Sequence, residues 1–123
     1  MQNYLIAAAV SAMLSVMLGA FAAHGLKSRL SETLLGVFQT AVQYQFMHSL
    51  AIILLVLLYR QQAQPLLVWS AALMLAGIVF FSGSLYALAL TQIKWFGPVT
   101  PLGGVCFIFG WALLLVAAIK HGQ

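Results

Sequence analysis

Four long apolar runs, residues 4–23, 37–59, 66–90 and 102–119, account for most of this 123-residue chain. Each is close to the ~20 helical residues needed to cross ~30 Å of hydrocarbon. All six charged side chains, Lys27, Arg29, Glu32, Arg60, Lys94 and Lys120, fall between or beyond the runs. Chance would place them so roughly once in a thousand trials, whereas the cost of charge at membrane depth requires it. Composition agrees, because 5% charged residues, against about 25% in a soluble domain, cannot cover a surface that faces water. The runs are continuously apolar rather than alternating polar-in and apolar-out, which predicts helices and not a membrane barrel. The expected fold is therefore all-α: a single four-span transmembrane domain over residues 1–123, an integral membrane four-helix bundle. Short connections make it up-down-up-down.

The connections carry helix signals. Ser31 reads as an N-cap with Glu32 at the positive end of the second helix, Gly25 as a stop for the first, and Pro65 as the first residue of the third. Thr100 and Pro101 read as the cap and first residue of the fourth. Tyr59 and Trp95 suit the membrane interface. Ala20, Phe21 and Ala22 resemble a cleavage motif, but residues 1–3 carry no basic side chain and the apolar run is longer than a signal core of ~7–15 residues. An uncleaved first helix is the reading adopted. Arg60 and Lys120 share a side with the termini, opposite Lys27, Arg29 and Lys94. Three cations against two specify orientation weakly, and insertion in one orientation or in both is compatible with the count.

Helices associate in lipid through small residues and interhelical hydrogen bonds. Ser11, Ser15, Gly19 and Ala23 recur every four residues on the first helix and predict a close neighbour. Gly77 on the third helix and Gly103, Gly104 and Gly110 on the fourth are further packing positions. Small-residue stripes on several helices predict a homo-oligomer, or contact with another membrane protein, in addition to membrane lipids. On the second helix Thr40, Gln43, Tyr44 and His48 share one face at 100° per residue, with His48 at the middle of its span. This polar face either bonds Ser11, Ser15 or Ser84 and fixes the bundle, or presents His48 for proton or substrate binding.

Chemistry beyond packing is sparse. Cys106 is the single cysteine, so neither an internal disulfide nor thiolate metal clusters are available. Glu32 is the only carboxylate, which removes paired-carboxylate catalysis within one subunit and the acid member of a Ser-His-Asp triad. His24 lies at a helix end and His48 roughly 16 Å deeper at ~1.5 Å per residue, too far apart to share a haem; no cofactor and no metal site is expected. His121 reads as solvated. The net charge of +4 is scattered, so no nucleic-acid partner is implied.

Several motifs occur in order: Gly19, Ala20, Phe21, Ala22, Ala23, His24, Gly25, Leu26 and Lys27; Tyr44 and Gln45 with His48; Phe81 to Tyr86; Thr100, Pro101, Leu102, Gly103 and Gly104; and Gly110 with Trp111. Together they resemble the YgdD-like family of small membrane proteins, a domain-of-unknown-function family. Ala22 departs from the glycine expected there. The resemblance implies a multi-pass protein of the bacterial inner membrane and brings no activity or catalytic residues. His24, Ser82, Ser84, Tyr86 and Thr100 gather on the side opposite the termini, which predicts a polar pocket suited to an anion or lipid headgroup. The expected role is a non-enzymatic bundle that binds lipid or protein and supports membrane integrity or complex assembly. A small homo-oligomeric transporter or channel working through His48 and Gln43 is the alternative.

Overall fold

A computed structural model describes residues 1–121. Helix α1 comprises Gln2–Phe21 and a π-helical continuation, Ala22–Leu26; α2 is Glu32–Gln61. Helix α3 runs through Pro65–Gly77, a π turn at Ile78–Ser82, and Gly83–Thr91. A 3-10 turn, Lys94–Phe96, leads into α4, Val99–His121. All four helices are long and apolar enough to cross a membrane. The chain is an all-α membrane bundle, and among the described residues there is no strand.

Local chemistry explains most helix ends. Ser31 adopts an extended conformation and its hydroxyl accepts the Leu34 N–H at 3.2 Å, so α2 starts where a free amide finds a side-chain partner. Pro65 opens α3, where the amide it lacks has no helical acceptor anyway. Gln92 ends α3 in the left-handed region at φ 60°, donating its N–H to Leu88 O at 2.8 Å. Two sequence expectations shift. Helix α1 continues through Gly25 to Leu26 by widening into a π turn. Helix α4 starts at Val99, and Thr100 is its second residue rather than its cap. Gly97 O accepts the Thr100 N–H at 3.2 Å, so the preceding turn supplies what a side-chain cap would.

Helices adjacent in sequence pack together, α1 on α2, α2 on α3 and α3 on α4, while α1 touches α3 only marginally. Two apolar clusters result. Ala8, Ile52, Leu55, Ala71, Met74 and Phe107 belong to the one nearer the termini. Ala22, Leu26, Phe38 and Ala89 form the other, toward the opposite rim. Between them in height lie Ser11 and Ser15 on α1, Gln45 and Ser49 on α2, and Ser82 on α3, all buried. The bundle is thus apolar at both levels with a hydrogen-bonded belt between. Outward positions such as Val16, Ile108 and Leu115, each about 60–70% exposed, form the lipid-facing coat.

The seam between α3 and α4 depends on missing side chains. A Cβ on Gly103 would lie 2.7 Å from the Phe81 Cα, and one on Gly110 would lie 2.9 Å from the Met74 Cγ. Gly77 faces the Phe107 ring so closely that any Cβ would overlap it. Gly104 has room, since its Cβ would meet Phe81 Cδ2 at an ordinary 3.8 Å. On α1 the buried face comprises Ala8, Ser11, Ser15 and Ala22, with Gly19 half-buried against Val42 and Ala23 exposed. Strict fourfold spacing rotates about 40° per step around a helix of 3.6 residues per turn, so Ser11 and Ser15 are in the contact and Ala23 has left it.

A candidate intramembrane polar site

Gln45 is the centre of the belt. Its amide nitrogen donates to Ser11 O at 2.9 Å and approaches Ser11 Oγ at 3.3 Å, while its amide oxygen accepts the Tyr86 hydroxyl. Ser49 Oγ lies 2.8 Å from Ser11 Oγ and 2.7 Å from Gln45 O. One side chain of α2 therefore ties α1 to α3. Ser82, in the π turn of α3, donates to Ala41 O at 2.8 Å and adds a second link between α2 and α3.

His48 occupies a separate compartment facing α4. Its Nε2 accepts the Trp111 indole N–H at 3.0 Å, and its Nδ1 sits 2.9 Å from Tyr44 O. An indole nitrogen only donates. Nε2 must then carry the lone pair and Nδ1 the proton, which it donates to the Tyr44 carbonyl. The imidazole lies flat on Phe107, with centroids 3.6 Å apart and planes 12° from parallel, and the Tyr44 ring packs against Phe81 at 4.6 Å. Gly77 makes room for Phe107, so the glycine of the α3/α4 seam and the histidine of α2 are parts of one arrangement. Toward the rim opposite the termini, the Ser84 and Thr100 hydroxyls meet at 2.6 Å, and Ser70 donates to Gly110 O at 2.6 Å nearer the termini. Each pair of packed helices thus shares at least one hydrogen bond at membrane depth.

The residues anticipated from sequence are distributed differently from the expectation. Ser84 and Thr100 do pair, but Ser82 and Tyr86 turn toward α2, bonding Ala41 O and Gln45, and His24 is exposed. Of the five, only Ser84 and Thr100 are hydrogen-bonded to each other among the described residues. On α2, Tyr44 and His48 face inward, whereas the Thr40 hydroxyl returns to Gly36 O of its own helix at 3.0 Å and Gln43 points out of the bundle. The inward partner of Ser11 is Gln45 in place of Gln43. Gln45, Ser49, Phe107 and Trp111 are the site residues to which the sequence alone assigned no role, while Ser70 shares a face with Gly77 and Ser84 on the third helix. Ala41, Gln45 and Ser49 repeat every four residues, as Ser11 and Ser15 do on α1, and that matching pattern is the signal that identifies the inner face. Among the described residues no group of three His, Cys, Asp or Glu side chains is placed to hold a metal ion.

Residues 18–104 match the family described as protein of unknown function (DUF423). The chain belongs to this family. A membrane protein of Bacillus subtilis, UPF0382 membrane protein YwdK, is 45% identical over 122 residues, covering 98% of this chain and 99% of that one. UPF0382 membrane protein SAB0533 of Staphylococcus aureus is 44% identical over 98% of both chains. The UPF0382 inner membrane protein YgdD of Escherichia coli K12 is 44% identical over 94% of this chain and 88% of its own. No solved structure matches the chain significantly. Membership of DUF423 and four spanning helices make this a multi-pass inner-membrane protein of a family whose molecular function is unknown.

Proposed function

We propose that this DUF423 protein is a non-catalytic membrane bundle that binds lipid or another membrane protein through its outer surface and supports membrane integrity or complex assembly. The carrying observation is the closed interior: among the described residues no buried side-chain nitrogen or oxygen lacks a hydrogen-bond partner. Both ring nitrogens of His48 and both amide atoms of Gln45 are engaged within the chain. Such bonds between neighbouring helices are what holds a bundle together in lipid, which favours a structural role for both side chains over proton relay or substrate contact. Depressions lie at the surface: an open groove between α1 and α2, a shallow site beside Tyr4 and Val79, and a rim site lined by Gln61, Gln62 and Gln64.

Reconstitution into liposomes tests the reading. The expected result is a defined lipid or protein stoichiometry by native mass spectrometry, with no proton or solute flux above that of protein-free vesicles. Substrate-dependent proton uptake abolished by His48→Ala would overturn it in favour of a transporter.

A further inference from the structure

The groove between α1 and α2 contains a polar anomaly. Ser15 and Gly19 form its floor, Val16 and Met47 lie on its walls, and Gln39 and Gln43 stand along one edge, both exposed. Taking His48 as the midplane, at ~1.5 Å per residue Gln39 lies ~13 Å and Gln43 ~7 Å from the bilayer centre. Gln39 is therefore within reach of the headgroups at the edge of a ~30 Å core. Gln43 is not, and its amide projects into hydrocarbon, where an unpaired amide is strongly disfavoured. The lipid-facing surface of α4, by contrast, presents Leu102, Val105, Ile108 and Leu115.

We propose that this groove is a homodimer interface in which Gln43 of one protomer pairs with Gln43 of a second copy. A primary amide is self-complementary, offering two donors and an acceptor, so an identical chain related by a twofold axis supplies what each amide lacks. Gly19, with no side chain, lets the partner helix approach closely. The geometry also sets the relative orientation of the copies. With the axis along the membrane normal, both glutamines lie at one depth and meet; with the axis in the membrane plane they fall on opposite sides of the midplane, ~15 Å apart at ~1.5 Å per residue. The dimer is parallel. The proposal stands apart from the function proposed above, since binding and transport are both compatible with such a dimer.

Oxidative cross-linking in native membranes tests it. In a Cys106→Ser background, Gln43→Cys is expected to yield a covalent dimer and Ile108→Cys, on the outer face of α4, to remain monomeric. An antiparallel pair would hold the two Gln43→Cys sites well beyond the ~4.4–6.8 Å between Cα atoms of a disulfide. Absence of the dimer, or equal cross-linking at both positions, overturns the proposal. Gln43 is exposed and takes no part in the interhelical hydrogen bonds described above, so Gln43→Leu tests pairing without removing a bond that holds the bundle. Its dimer dissociation constant in lipid nanodiscs is expected to rise about fivefold to thirtyfold, with Gln43→Asn close to the original chain. An unchanged constant for Gln43→Leu, or a monomer whose groove holds lipid or another protein in native mass spectra, overturns it as well.

Discussion

An indole N–H can be given but not received, and that asymmetry sets the protonation of His48. The ring is held as the Nδ1–H tautomer, with Trp111 on one nitrogen and the Tyr44 carbonyl on the other. Nitrogen-15 NMR of labelled protein in bilayers is expected to show Nε2 as the unprotonated nitrogen. Trp111→Phe, which keeps an aromatic ring but removes the donor, is expected to cost about 1 kcal/mol of unfolding free energy. Gln43 and Gln45 of α2 separate equally well. Gln45→Leu strands the Tyr86 hydroxyl and is expected to destabilise by about 1–3 kcal/mol, whereas Gln43→Leu leaves the fold of a single protomer within about 0.5 kcal/mol. Equal losses for the two, measured by reversible unfolding in mixed micelles, would contradict their placement on opposite faces. Two residues apart on a helix is 200°, so one faces the bundle and the other faces away. In a soluble helix apolar residues would mark the inner face. Here lipid makes the outer face apolar too, which is why Gln43 and Gln45 were not distinguishable from hydropathy.

The elements themselves were readable because their determinants are local. Charge exclusion marks the four spans, Ser31 caps α2 and Pro65 opens α3, each acting within one turn of its own position. The π turns were not readable. They occur where a helix accommodates an extra residue under tertiary contact, and the one at Ile78–Ser82 includes Phe81, against whose backbone Gly103 packs. Neighbouring glycines of α4 accordingly differ. Gly103→Ala would push its Cβ into Phe81 backbone atoms and is expected to destabilise by about 1–3 kcal/mol; Gly104→Ala, with ordinary contact distance available, is expected to be neutral or slightly stabilising, since alanine favours the helix by about 1 kcal/mol. Thermal melts of both variants in the same detergent check the difference. At the end of α3, Gln92 holds a left-handed conformation that glycine adopts without a Cβ penalty. Gln92→Gly is therefore expected to leave stability unchanged or raise it, contrary to the usual cost of glycine.

For the whole molecule, the weak point is orientation, because the features that fix the fold do not fix which rim faces the cytoplasm. Helix packing depends on Ser11, Gln45, Gly103 and their partners, all at membrane depth and all indifferent to the sign of the outside. Topology depends on cations at the rims. Lys27, Arg29 and Lys94 lie on one, with Trp95 exposed beside Lys94. Arg60 and Lys120 lie on the other, where a free terminal amine would bring the two sides level. A balance this close is moved by one charge. Arg60 is exposed and its only side-chain hydrogen bond among the described residues is one of 3.4 Å to Gln2, so Arg60→Gln alters the balance without removing a buried group. It is expected to draw the rim of Lys27, Arg29 and Lys94 toward the cytoplasm and raise the signal of a C-terminal reporter active only outside it. Lys94→Gln is expected to move the pair of reporter signals in the opposite direction. If neither substitution shifts the ratio of cytoplasmic to external reporter activity, rim charge does not control insertion, and determinants within the helices must do so.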